Sequence, residues 1–340
     1  MIILDVETLR KLTNIVGLEA IMDKIITRLK FDFSNWNKFS KIPRVVNESK
    51  YGVIELMPTN SDDYYSFKYV NGHPNNINLG IPCVMALGLL ATVKDGMPLL
   101  MSEMTILTAI RTACVSALAT EYLANIDASI LGVIGCGAQA EFQILAISRV
   151  RNIKQVFIYD IDKSTEIKLI NNLKKYDLAI NIANSIDEIV QNVDIVVTAT
   201  AKRAEQSILT VDMLKPGLHI NAIGGDSSGK TELDCNILAK SKVVVEYLPQ
   251  SKVEGEIQHL SDHSDIVELH EVINSKKEIR TSESDITLFD SVGFAIEDYS
   301  TLRVIYNLLL EHNLAKESNL IPSLENPKDL FALLYEDTTL

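Results

Sequence analysis

From Ser129 onward the chain alternates short apolar runs with helical stretches, and this alternation restricts its possible folds more than any other feature. "SILGVIG", "QVFIYD", "AINIAN", "DIVVTAT", "LHINAIG", "KVVVEYL" and "DITLFDSVG" each have the length of a strand. Strands alternating with helices point to βαβ units and a parallel sheet covered on both faces. The expectation is an α/β, Rossmann-type doubly wound sheet.

The first part of the chain reads differently. One helical pattern follows Asp5, and a longer one runs from about Leu18 to Trp36. The runs "RVVNES", "YGVIELMP" and "YYSFKYV" are β-like, and "VMALGLLATV" and "MPLLMSE" flank the turn "KDG" as a hairpin would. "EMTILTAIRTACVSALATEYLA" then reads as a long helix. A chain of 340 residues has room for two domains. The boundary falls near residues 125–129, with an α+β domain over 1–127 and the parallel domain over 128–293. The final helix, in "FAIEDYSTLRVIYNLLLEHN", opens a segment 294–340 expected to pack back on the first domain.

The first strand of the parallel domain ends in Gly135-Cys136-Gly137-Ala138-Gln139-Ala140, a G-x-G-x-x-A string. Gly135 permits a tight turn, Gly137 lets the backbone approach a pyrophosphate, and Ala140 allows close helix–strand packing. The helix that follows would point its positive dipole end at the phosphates. The next strand ends in Asp160, at the spacing of an acid that accepts the adenosine ribose hydroxyls. No Arg or Lys comes before Lys163, and Asp162 would repel a 2′-phosphate, so NAD is expected rather than NADP.

A second glycine string competes for attention. Gly224 to Thr231, "GGDSSGKT", fits the phosphate-loop pattern G-x-x-x-x-G-K-[ST], with an apolar run before it and a helix-like stretch, "TELDCNILAKS", after it. Asp226, however, would put a carboxylate where phosphates must sit. The string also ends a later strand of the sheet, not the first. Asp226 and Lys230 are therefore expected to face the cofactor crevice.

Four charged residues of the first domain occupy unusual places. Arg111 lies on the apolar stripe of its helix, beside Leu107, Cys114, Val115 and Leu118. Lys68 shares a strand face with Ser66 and Val70, Glu55 shares one with Val53 and Met57, and Arg44 follows Pro43 just before the first β-like run. Internal ion pairs of Glu55 with Lys68 or Arg111 would account for them. Three cations against one acid would also suit a small carboxylate ligand, which an arginine can hold bidentately.

The formal net charge of −13 argues against nucleic acid or an anionic membrane as partner. The start, "MIILDVETLRK", has acids where a signal peptide is basic, and the apolar stretch Ile81 to Val93 is too short to span a bilayer. Cys83, Cys114, Cys136 and Cys235 are scattered, so a reduced, cytoplasmic protein is expected. His259, His263 and His270 lack the spacing of a metal site and read as solvated surface, so no metal is expected.

These stretches together, with "FKYVNGHPNN", "EYLPQSKVEGEIQ", "FDSVGFAIEDYSTLR" and "ENPKDLF", resemble the ornithine cyclodeaminase/μ-crystallin family over nearly the whole chain. The string "GGD-x-x-GKTEL" resembles its cyclodeaminases, since the ketimine reductases and amino-acid dehydrogenases of the family differ there. The resemblance implies NAD-dependent conversion of L-ornithine to L-proline and ammonia, in a homodimer built through the first domain. Lysine cyclodeaminase and the dehydrogenase or reductase activities are the alternatives. It implies that Arg44, Lys68 and Arg111 hold the substrate carboxylate, with Glu55 nearby and the Val292 backbone against the substrate. Asp226 would be the general acid/base. NAD would be met by Gly135, Gly137, Ala138, Gln139, Asp160, Thr200, Ile223, Gly224, Gly225, Asp226, Lys230 and Ser291, with Arg111. Cys83 stands where the pattern has a threonine, which removes one hydroxyl from the cofactor's surroundings.

Overall fold

The computed structural model describes residues 1–200 and 205–334. A short strand, β1 (Ile2–Leu4), precedes helices α1 (Val6–Val16) and α2 (Leu18–Ser34). Asp5 caps α1, its side chain accepting from the Thr8 amide at 2.7 Å. Gly17 separates the two helices with φ 89°, a conformation that L side chains rarely adopt, while its amide still closes on the Thr13 carbonyl. Helix α2 ends at Ser34, short of Trp36, which begins a 3-10 turn instead.

Strands β2 (Val45–Ser49), β3 (Gly52–Asn60), β4 (Tyr64–Gly72), β5 (Val84–Thr92) and β6 (Pro98–Glu103) form an antiparallel meander. The expected hairpin about "KDG" is the β5–β6 pair. Strand β1 adds to the open side of β6 in parallel, an addition that three residues at the chain start gave no periodicity to reveal. Helix α3 (Thr105–Leu123) follows. It is apolar and long enough to cross a membrane by length and composition, but it is mostly buried, packed against β5 on one side and the second sheet on the other.

The second half supplies, in chain order, β7 (Ile130–Ile134), α4 (Ala140–Val150), β8 (Gln155–Tyr159), α5 (Lys163–Leu173), β9 (Ala179–Ile182), α6 (Ile186–Asn192), β10 (Ile195–Thr198), β11 (Glu205–Leu209) and β12 (His219–Ala222). It continues with β13 (Thr231–Leu233), α7 (Cys235–Lys240), β14 (Lys242–Val245), α8 (Leu248–Glu254), β15 (Val267–Glu268), α9 (Leu269–Ile273) and β16 (Thr287–Asp290). Eight of these strands form one parallel sheet in the order β15-β14-β16-β12-β10-β7-β8-β9. Strands β7, β10, β12 and β16 are almost wholly buried, as their apolar runs require. The order reverses between β7 and β10, which opens the crevice where such sheets bind ligands. Strand β16, last in sequence, lies between β12 and β14. It then leads directly into α10 (Ala295–Glu311), which packs on α2, α3 and β4. The chain thus crosses from the parallel sheet to the antiparallel one at residues 291–294.

Candidate functional site

Each strand of the crevice ends one or two residues before a residue singled out in the sequence. Gly135 follows β7, Asp160 follows β8, Thr200 follows β10, Ile223 follows β12 and Ser291 follows β16. The parallel register brings these ends side by side: the Ile223 amide bonds to the Thr198 carbonyl, and the Ser291 amide to that of Ala222.

Gly135 has φ 96°, and a Cβ there would overlap the Ala199 carbonyl. At Gly137 a Cβ would meet no atom of the described residues within 4 Å, so the space beside this glycine is open. Asp160 accepts from the Cys136 amide at 2.7 Å and from the Asp162 amide at 2.8 Å, which locks the loop to the next strand. The Gln139 Oε1 is buried and has no hydrogen-bond partner among the described residues. An open glycine cradle, a strand-end acid and an unpaired side-chain oxygen fit a dinucleotide lying along Gly135–Ala140. The Cys83 thiol donates to the Pro74 carbonyl at 3.4 Å, and among the described residues its hydrogen bonds stay within that segment.

The Gly224–Thr231 loop is built differently. Lys230 and Thr231 lead into β13, which pairs in parallel with β11, so the expected phosphate-loop helix does not start there. The helix-like stretch resolves into that strand followed by α7. Side chains at Gly224 and Gly225 would overlap the carboxyl groups of Glu232 and Glu256. Glu232 accepts from the Thr200 amide at 2.7 Å and from its hydroxyl. Glu256 accepts from the amides of Glu232 and Leu233, at 2.9 and 3.1 Å. Asp290 accepts from the amides of Glu256 and Ile257, and Glu246 from the Ser291 hydroxyl and the Val292 and Gly293 amides. Buried carboxylates thus pin successive loops of the sheet edge to one another. Burial pushes Glu256 up to about 8 and Asp290 up to about 7.

Asp226 projects from this loop, half-exposed, with Lys230 Nζ 3.0 Å from its Oδ1. It lies near enough to Arg44 and Glu254 to act on the ionisation of both. The structure therefore brings Asp226 to the edge of the charged cluster of the first domain.

That cluster is buried and paired throughout, though not as the sequence suggests. Glu55 pairs with Arg44 at 3.0 Å, not with Lys68 or Arg111. Lys68, wholly buried, is 2.9 Å from Asp298, and Arg111 reaches the same Asp298 oxygen at 3.1 Å and Glu297 at 2.6 Å. Arg44 also lies 3.1 Å from Glu254 and donates to the carbonyls of Val292 and Gly293. The expected excess of positive charge is corrected accordingly: Arg44, Lys68 and Arg111 face four carboxylates, Glu55, Glu254, Glu297 and Asp298. Burial lowers Lys68 to about 8, helped by Arg111 and opposed by Asp298. Burial also raises Glu297 to about 8 and Glu254 to about 7. Arg44 is held above its usual value, because Glu55, Glu254 and Asp226 outweigh its own burial.

Glu254, Glu297 and Asp298 went unnoticed in the sequence. Two acids in the first turn of α10 look like ordinary complements of the helix dipole. Their one signal was position, since they stand within a run otherwise rich in apolar residues. The three histidines also separate: His259 is exposed, His263 is half-buried, and His270 is buried. His270 stacks on Trp36 with ring centroids 4.6 Å apart, and burial pulls it down to about 4, so it is not surface.

Comparison with known proteins agrees with this geometry. The family model for the ornithine cyclodeaminase/mu-crystallin family matches residues 6–313. Ornithine cyclodeaminase of Brucella abortus biovar 1 (strain 9-941) is 45% identical over 329 residues, covering 97% of this chain and 92% of that protein. The structure of Thermococcus litoralis Δ1-pyrroline-2-carboxylate reductase with NADH and L-proline superposes with a TM-score of 0.86 at 32% identity, over 94% of this chain and 100% of that one. A lysine cyclodeaminase structure, solved for recognition of L-lysine, L-ornithine and L-2,4-diaminobutyric acid, gives 0.91 at 26% identity, over 98% and 99%.

Proposed function

The chain belongs to the ornithine cyclodeaminase/mu-crystallin family, and we propose that within it the protein is an NAD-dependent ornithine cyclodeaminase, converting L-ornithine to L-proline and ammonia. The observation that carries this reading is the placement of Asp226 between the crevice of the glycine loop and the buried cluster of Arg44, Lys68 and Arg111. A carboxylate there can exchange protons with amines held by the cluster.

NAD, when bound along Gly135–Ala140, supplies two-electron redox chemistry at the α-carbon, with no net oxidation over a full turn. The chain's own residues do the rest. Arg44, Lys68 and Arg111 hold the substrate carboxylate, their positions fixed by the buried acids. Asp226 takes a proton from the α-ammonium and releases it, then takes one from the side-chain nitrogen as it attacks the α-carbon and returns that proton to the departing ammonia. Lys230, 3.0 Å away, orients Asp226 between these transfers. Burial of the cluster keeps water from the reacting carbon.

The protein is further proposed to be a cytoplasmic homodimer. Val45, Leu56, Tyr69 and Leu87 form one cross-strand row on the outer face of the antiparallel sheet, and all four are exposed. An apolar row of that kind suits an isologous contact between two sheets. Free cysteines at 83, 114, 136 and 235 agree with a reducing compartment.

The test is incubation of the protein and NAD with L-ornithine and, separately, L-lysine. Proline and ammonia should appear in equal amounts without a steady rise in NADH absorbance. Accumulating NADH would assign an amino-acid dehydrogenase instead, and faster pipecolate formation from lysine would assign a lysine cyclodeaminase.

A further inference from the structure

Helix α8 carries two polar residues one turn apart that both face Arg44. Gln250 accepts from the Arg44 amide at 3.0 Å and donates to the Gly293 carbonyl at 2.7 Å. Glu254, four residues on, ends the helix with its side chain only 6% exposed. Gln250 is fully satisfied and Glu254 is not. Its Oε2 lies 3.1 Å from Arg44 Nε, but the two are misaligned, and among the described residues both buried atoms lack a hydrogen-bond partner.

Such an arrangement is costly unless something else arrives. A buried carboxylate with an unused oxygen needs a donor, and Arg44 has already committed its other nitrogens to Glu55, Val292 and Gly293. The charged groups facing Glu254 are Arg44, Glu55 and Asp226. Two of these three are acids, so the surroundings favour a further cation. A monoamino acid brings no group to this carboxylate, whereas a diamino acid brings an ammonium.

We propose that Glu254 is a substrate-binding residue that receives the distal ammonium of a diamino acid, and that it selects such substrates over monoamino acids of the same length. This rests on the cyclodeaminase reading for the identity of the substrate. The carboxylate end of the substrate belongs to Arg44, Lys68 and Arg111, and Asp226 handles the transferred protons. Glu254 is left to meet the side-chain end.

The discriminating pair of ligands is L-ornithine and L-norvaline, which has the same chain without the distal amine. Binding of each to NADH-loaded protein, which cannot oxidise the α-carbon, is measured by calorimetry for the unmodified protein, Glu254→Gln and Glu254→Asp, with thermal melts to verify folding. Glu254→Gln should weaken L-ornithine by about tenfold to a hundredfold and leave L-norvaline within about twofold. Glu254→Asp, which keeps the charge on a shorter stem, should fall between. An equal loss for both ligands in Glu254→Gln would overturn the inference, because Glu254 would then only brace Arg44 and through it the carboxylate site. Should Glu254→Gln melt far below the unmodified protein, Glu254→Asp decides by the same comparison. Unmodified protein that makes proline yet binds both ligands equally would overturn this inference alone. Unmodified protein that binds neither would overturn the cyclodeaminase reading with it.

Discussion

The Gly135–Ala140 loop and the Gly224–Thr231 loop leave the same edge of the parallel sheet, and their glycines serve opposite ends. At Gly137 the missing side chain leaves space that nothing among the described residues fills. At Gly224 and Gly225 the space is taken by the protein's own carboxyl groups, Glu232 and Glu256. The first loop runs into helix α4, whose N-terminus can face an anion, whereas the second runs into strand β13. One loop is a cradle made by backbone. The other is a platform that buried acids hold still so that Asp226 can project from it. A glycine string therefore takes its meaning from what fills the vacated volume and from the element that follows.

The sharpest attempt to break this contrast is Asp226→Asn. If the second loop is a platform for a proton carrier, proline formation should fall by roughly a hundredfold or more, while NAD affinity and melting temperature stay close to normal. Turnover near the normal rate would end the acid/base assignment, and ATP hydrolysis by the unmodified protein would restore the phosphate loop.

A paired substitution sharpens the contrast at the glycines themselves. Gly137→Val should fold with nearly unchanged stability and lose NAD affinity by at least about tenfold, because the side chain fills the cradle. Gly224→Ala should instead lower stability by about 1–3 kcal/mol, because Glu232 must move. Denaturant melts and cofactor titration on both variants test this. Similar profiles for the two would mean that the loops are not different in kind.

The cofactor preference gives a smaller effect. Unmodified protein should bind NAD well over NADP. Asp160→Ala should weaken NAD by roughly tenfold and narrow the gap, since the carboxylate both meets the ribose and secures the Cys136 amide. Equal affinities in the unmodified protein would remove the acid's assigned role.

The mildest prediction concerns the acids beneath the platform. Glu254, Glu256, Asp290 and Glu297 hold their protons up to about 7 or 8 in the folded protein, against about 4 for a free carboxyl. The folded state then binds more protons than the unfolded one between those values, so stability is gained as pH falls from 8 toward 5. Lys68, lowered to about 8, opposes this only above that pH, and His219 and His270, lowered to about 3 and about 4, oppose it as pH falls below 6.5. The melting temperature of the cofactor-free protein should be a few degrees higher at pH 6 than at pH 8. A flat or opposite trend would show that these acids are ionised in place.

The sequence by itself determined what local periodicity and backbone demands can encode. The parallel domain, the β5–β6 hairpin, the turn at Gly135 and the strand-end place of Asp160 each depend on residues close in the chain. The inward faces of Glu55, Lys68 and Arg111 followed from the two-residue period of strands and the apolar stripe of a helix. Tertiary structure alone decided their partners. Lys68 and Asp298 are 230 residues apart, and they meet only because β16 inserts between β12 and β14 and hands the chain across to α10, while Arg44 meets Glu254 at the end of α8. Strand order is not written in the pattern of any single strand, so neither are the acids it delivers. The same holds for "GGDSSGKT": its letters allow a phosphate cradle, but the Glu232 and Glu256 carboxyl groups packed beneath it, and the strand it enters, exclude one. A buried charge must find its counter-charge wherever the fold places one, and the whole chain's packing, not the residues on either side, settles where that is.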